Sequence, residues 1–205
     1  SAPKAPAQRK MGYEAVAGNM GASFSPGFSA AGEQPKFLAT IADGSQVIVK
    51  FSPPHGTPFG DMWSELLRAE AIALLTLASS GTPVAATHIL HGPTRTYLES
   101  TRFDRVGARG RRHVVPIDAA HRAFVAGPRH HWLHTCEALR AEGRLTAGDV
   151  ERVRLWRCFG RLIANTDMHF GNLSFFVDDL STGTFSLAPC YDMLPMHYRP
   201  GSYRD

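Results

Sequence analysis

Cysteine is scarce in this chain: three residues in 205, Cys136, Cys158 and Cys190, widely spaced and without a CxxC pair. That argues against a disulfide framework and for reduced thiols in a cytoplasm, two of them expected to pack inside helices. Long apolar runs are missing too. None approaches the roughly 20 residues that a membrane span needs. Charge of neither sign dominates, since 22 Lys and Arg against 18 Asp and Glu leave a formal net charge of +4. Such a balance suggests at most an acidic partner or substrate. There is no internal repeat and no apolar signal-peptide core. The opening SAPKAPAQRK has the Ala, Pro and Lys composition of a solvated linker, read here as residues 1–12. With 43% hydrophobic and 20% charged residues, the remainder has the composition of a globular protein.

What is present centres on the octapeptide NTDMHFGN, Asn165 to Asn172. Asp167 and Asn172 stand five residues apart just past a predicted helix. That spacing suits phosphoryl transfer: the acid takes the proton of an attacking hydroxyl, and the amide oxygen holds a metal that touches nucleotide phosphates. A second hard ligand is expected after a short hairpin. LSFFV, the turn DDLSTG and TFSLA lead to Cys190, Tyr191 and Asp192.

Upstream, residues 13–35 are rich in Gly, Ala and Ser, and SPGFSAAGEQPK offers backbone with little side-chain bulk, able to wrap an anion. A hairpin is predicted from Phe37–Ile41 and Val47–Phe51 across Asp43-Gly44. Alternation puts Ile48 and Lys50 on one face and Val47, Val49 and Phe51 on the other. A helix over Asp61–Ala78 carries Trp63, Leu66, Leu67, Leu74 and Leu77 on one stripe, with Glu70 in its middle. A carboxylate there is costly unless paired, and Lys50 is the nearest unexplained cation. Two β-like runs, Thr87–His91 and Arg95–Glu99, follow. Helices are then predicted around 117–125, 132–141 and 147–164, the last capped by Thr146 and burying Val150, Val153, Trp156, Leu162 and Ile163.

The order is a small-residue loop, a strand Lys, a helix Glu, an Asp/Asn loop and a late Asp, which is the order of protein-kinase parts. Two other readings compete. His169 with Asp167, Asp192 and His197 suggests a metallohydrolase, which leaves Lys50, Glu70 and the loop unexplained. The five arginines of RFDRVGARGRRH could grip phosphate, nucleic acid or an acidic protein in a non-catalytic binding module. No aromatic platform interleaves them, which argues against direct nucleic-acid binding. His130 and His131 lack ligand spacing on a shared face and are assigned to the surface.

These motifs resemble the HipA-like serine/threonine kinases, the toxin components of bacterial type II toxin–antitoxin systems. SAAGEQPK at 29–36 is similar to that family's phosphate loop, VIVKFS at 47–52 to its lysine strand, and RFDR at 102–105 to the segment after its nucleotide hinge. NTDMHFGN and LAPCYDMLP, at 187–195, are similar to its catalytic and metal-binding loops. Small-molecule phosphotransferases usually carry His two residues before the catalytic Asp, where this chain has Asn165. The resemblance implies Asp167 as catalytic base, Asn172 and Asp192 as Mg2+ ligands, and Lys50, oriented by Glu70, as the phosphate-contacting lysine. It implies a nucleotide site of Ala31, Gly32, Glu33, Gln34, Pro35, Lys36, Lys50, Thr101, Arg102, Phe103, His169, Phe170, Gly171, Asn172, Tyr191 and Asp192. Ser29 matches the loop serine that relatives autophosphorylate, while a second serine of some relatives is here Ala31.

The fold expected is therefore α+β, protein-kinase-like and two-lobed. A small antiparallel sheet with one helix spans 13–104, and a mainly helical lobe spans 105–205, ending before the family's C-terminal helices. The implied cofactors are ATP and Mg2+. The implied partners are a protein substrate, such as an aminoacyl-tRNA synthetase, and a DNA-binding antitoxin, with no membrane.

Overall fold

The first sheet of the computed structural model, which describes residues 6–23, 34–107 and 109–200, opens with a hairpin whose two strands alternate more and less buried side chains. The strands are β1 (Lys36–Thr40), β2 (Gln46–Phe51), β3 (Thr87–His91) and β4 (Thr96–Thr101), in the antiparallel order β1-β2-β4-β3. Gly44 turns the first hairpin at φ 85°, a conformation that a side chain disfavours. Asp43 Oδ1 accepts from the Ser45 N–H at 2.8 Å and fixes that turn. Val47, Val49 and Phe51 face a buried cluster with Leu90 and Tyr97.

That cluster is completed by α1 (Pro6–Ser23), which lays Tyr13 and Ala17 into it. The linker expected for residues 1–12 is thus corrected from Pro6 onward. Proline is at home in a helix's first position, alanine is the best helix former, and Tyr13 anchors the helix through tertiary contacts that composition does not reveal. Tyr13 packs edge-on against Phe37 with ring centroids 5.3 Å apart.

α2 (Pro58–Ser79) buries the expected stripe of Trp63, Leu66, Leu67, Leu74 and Leu77, with Glu70 among them. The chain divides into two units. One comprises Ser1–Ile72, Ala86–Arg102 and Tyr198–Asp205; the other comprises Ala73–Ala85 and Phe103–His197.

After its Ala73–Ala85 segment, the second unit holds a two-stranded ribbon, β5 (Arg105–Val106) and β6 (Gly110–Arg111). It continues with β7 (Val114–Pro116), α3 (Ile117–Phe124), α4 (Trp132–Ala141), α5 (Ala147–Leu162), β8 (Ser174–Asp179) and β9 (Thr184–Leu187). β7, β8 and β9 form an antiparallel sheet in that order. Thr146 caps α5 as expected, accepting from the Asp149 N–H at 3.1 Å. Val150, Val153 and Trp156 are buried, but Leu162 is 84% exposed. Its expected burial fails on helix geometry: it lies two residues past the buried Gly160, roughly 200° around the axis. Of the cysteines, Cys136 in α4 and Cys190 are buried and Cys158 in α5 is exposed, so only one packs inside a helix.

Candidate active site

In the first unit, Lys50 Nζ donates to both carboxylate oxygens of Glu70, at 2.7 and 2.9 Å. The Glu70 side chain is 1% exposed and that of Lys50 is 12% exposed. Desolvating a carboxylate costs several kcal/mol, and a short two-oxygen ion pair offsets that cost while fixing the ammonium on β2. At the start of β1, the Pro35 carbonyl accepts from the Phe51 N–H at 3.2 Å. Gln34 Nε2 is buried and has no hydrogen-bond partner among the described residues. Lys36 is exposed, in register with Lys50. Ser29, Ala31, Gly32 and Glu33 lie outside the described residues. Thr101 ends β4, its N–H bonded to the Ala86 carbonyl at 2.8 Å, and the Arg102 N–H bonds to the Gln46 carbonyl at 2.9 Å.

In the second unit, α5 delivers the chain through Ala164, at φ 57°, into NTDMHFGN. A left-handed backbone at alanine costs about 1 kcal/mol or more, so tertiary bonds must hold it. Asn165 supplies several. It is 4% exposed. Its N–H bonds to the Gly160 carbonyl at 2.8 Å, and its Oδ1 accepts from the Asp167 N–H at 3.0 Å. Its Nδ2 donates to the Asp192 carbonyl at 3.4 Å. Gly160 is the seat for both loops: a Cβ there would come within 2.5 Å of Met168 Sδ and 3.3 Å of Met193 Sδ.

Around the turn, Asn172 Nδ2 donates to the Asp167 carbonyl at 2.8 Å, which commits the amide nitrogen inward and leaves its oxygen as a donor to an ion. The buried Trp132 at the head of α4 donates from Nε1 to the His169 carbonyl at 2.9 Å. The Gly171 N–H donates to His169 Nδ1 at 2.9 Å, so that nitrogen is the unprotonated acceptor of the ring. Phe170 packs edge-on against His121, centroids 5.8 Å apart, beneath the Arg129 guanidinium. The Asp167 side chain is 46% exposed, open to an incoming hydroxyl.

Asp192 adopts φ 52°, a left-handed conformation that Asp tolerates better than most residues. Phe103 stacks at 5.7 Å on Tyr191 and edge-on at 5.9 Å on Phe176. Burial, before any other cause, pushes the Tyr191 phenol up to about 12. Asn172 and Asp192 together offer an amide and a carboxylate oxygen, the hard donors that suit Mg2+. Among the described residues, no group of three or more His, Cys, Asp and Glu side chains could hold a metal, so the His169, Asp167, Asp192 and His197 set does not assemble. Of the arginine run, Arg109 and Arg111 are exposed, while Arg112 lies over the Phe176 ring at 3.3 Å. Motif spacing does not mark Trp132 or Ser174, nor the bond from Asn165 to Asp192, because each contribution depends on contacts distant in sequence.

The HipA-like C-terminal domain family matches residues 28–203. The chain belongs to this family. It is 38% identical over 199 residues to toxin YjjJ of Escherichia coli (strain K12), covering 95% of this chain and 44% of the relative, so the chain spans less than half of that protein. A solved complex of Shewanella oneidensis MR-1 HipA, HipB and operator DNA superposes with a TM-score of 0.58 at 23% identity, covering 80% of this chain and 43% of that one. The Helicobacter pylori proinflammatory kinase CtkA gives 0.55 at 16% identity, covering 78% of this chain and 53% of that one. At those identities the likeness establishes the fold, and the fold is protein-kinase-like. The HipA-like chain therefore has the expected fold class, and among its described residues no helix is long and apolar enough to cross a membrane.

Proposed function

We propose that this HipA-like chain carries the catalytic machinery of an ATP- and Mg2+-dependent serine/threonine protein kinase of the toxin type. The observation that carries the reading is the Asn172 bond to the Asp167 carbonyl at 2.8 Å, which couples a candidate base and a candidate metal ligand in one turn. Lys50, held by Glu70, supplies the charge for the nucleotide phosphates. Asp167 accepts the proton of a substrate serine or threonine hydroxyl as its oxygen bonds to the γ-phosphorus. The bond from that phosphorus to the β,γ-bridging oxygen breaks, and ADP leaves. Mg2+, held by Asn172 and Asp192, would neutralise charge on the phosphates.

Asp167→Asn in the full-length protein is expected to lower phosphate transfer by at least about 100-fold while ATP binding persists. Transfer at the wild-type rate would remove Asp167 from the role of base. Wild-type protein that binds ATP without turnover would make the chain a kinase-like binding module instead.

Ser29 is proposed as an autophosphorylation site, since a phosphate there would add negative charge to a loop meant for ATP phosphates. Intact mass after incubation with Mg2+ and ATP should rise by one phosphate in wild type and stay unchanged in Ser29→Ala. An unchanged wild-type mass counts against the site. The kinship with a protein called a toxin, and the likeness to a HipA solved with HipB and DNA, support a DNA-binding antitoxin partner. An aminoacyl-tRNA synthetase or another translation-related protein is the substrate class proposed, tested by labelled ATP in a cell lysate.

A further inference from the structure

Gly171 and Tyr191 are each followed in sequence by a candidate metal ligand, Asn172 and Asp192. They are also bonded to each other: the Tyr191 hydroxyl donates to the Gly171 carbonyl at 2.8 Å. The hydroxyl has one proton, and the carbonyl takes it. The second contact of the same oxygen, 2.7 Å from Ser174 Oγ, must therefore have Ser174 as donor. Ser174 is 8% exposed at the head of β8, and its own carbonyl accepts from the Ala188 N–H at 3.0 Å. A chain of hydrogen bonds thus runs from the rigid strand, through Tyr191, to the turn that carries Asn172.

We propose that this Ser174–Tyr191–Gly171 relay sets the spacing of Asn172 and Asp192, making Ser174 and Tyr191 positioning residues for a divalent cation. The inference rests on the kinase reading for the identity of the ligands. Another connection between the two loops, Asn165 Nδ2 to the Asp192 carbonyl, is longer at 3.4 Å. The relay is therefore tighter than that link. It acts on the residue immediately before each ligand, at the Gly171 carbonyl and the Tyr191 hydroxyl, so losing it loosens both ligands without removing either.

Tyr191→Phe isolates the hydroxyl, because a phenylalanine ring keeps the stacking on Phe103. The probe is Mn2+, whose free concentration is read by paramagnetic resonance, titrated into the full-length protein with and without a non-hydrolysable ATP analogue. Tyr191→Phe should weaken Mn2+ binding roughly three- to ten-fold, the worth of one hydrogen bond, and Ser174→Ala should weaken it less, about two-fold. In Ser174→Ala, affinity for the analogue without metal should be unchanged. Wild-type Mn2+ affinity in Tyr191→Phe overturns the relay, because a hydroxyl that only supports packing would alter the melting temperature and not the ion. If Tyr191→Phe does not fold, Ser174→Ala decides alone, and wild-type Mn2+ affinity there overturns the relay. Failure of the wild type to bind Mn2+, or unaltered binding in Asp192→Asn, overturns the metal site itself and the kinase reading with it.

Discussion

The Glu70 carboxylate sits at 1% exposure inside an apolar stripe, where its charge is tolerated because Lys50 meets both oxygens. Breaking a buried pair from one side costs roughly 3 to 5 kcal/mol, whereas replacing both partners with apolar groups costs little. Lys50→Met is therefore expected to lower stability by about 3 kcal/mol, and Lys50→Met with Glu70→Leu should recover most of it. Urea denaturation of these two variants, with Glu70→Leu alone completing a double-mutant cycle, checks this, and equal losses in single and double variants would contradict it. The pair was legible in the sequence, because the period of two turns Lys50 away from the valines and the period of 3.6 puts Glu70 amid leucines. Ser174, Trp132 and Asn165 were not. Each contributes to the site through a bond to a residue distant along the chain, or through a buried amide whose partners only the fold reveals.

Among the elements, α1 gains its place from a few side chains rather than from propensity. The Tyr13 hydroxyl donates to Glu99 Oε1 at 2.7 Å, and Arg9 Nε lies 3.3 Å from the same oxygen. Glu99 is 2% exposed in β4, two residues before Thr101. Tyr13→Phe should cost about 2 kcal/mol, the value of a bond to a buried charge, measured by thermal or urea unfolding. A loss below a few tenths would mean that α1 is held by apolar contact and the Arg9 pair without help from this hydroxyl. The other helices were readable because their apolar spacing and caps are local. α1 was not, since its Ala, Pro and Lys composition matches a linker until Tyr13 finds its cluster. β7 escaped for a related reason: at three residues it is too short for alternation to register, and its partner is β8, far along the chain.

For the whole molecule, three tyrosines are held protonated by their surroundings. Burial raises Tyr13 first, followed by its bond to Glu99 and that group's charge; burial likewise leads for Tyr97, and for Tyr191 the phenol reaches about 12. In the unfolded chain each returns to the ordinary value of 10.0. The folded state thus holds these protons more tightly, so their contribution is complete below that pH and is lost as pH rises above it. The urea midpoint should fall as pH climbs from 10 toward 12, less steeply in Tyr13→Phe, with phenolate absorbance appearing alongside unfolding. Phenolate formed without loss of structure would contradict the shift. The kinase-like fold was readable because its motifs stand in order; the division into units interleaves segments of the chain and depends on contacts that motif order does not reveal.

Family similarity begins at residue 28, downstream of α1. A border drawn by resemblance therefore passes through the middle of a hydrophobic cluster. Protein started at that border would keep Glu99, Val47, Val49 and Phe51 while shedding Arg9, Tyr13 and Ala17. For anyone trimming the gene, a start inside or after α1 removes side chains whose burial the family border does not mark.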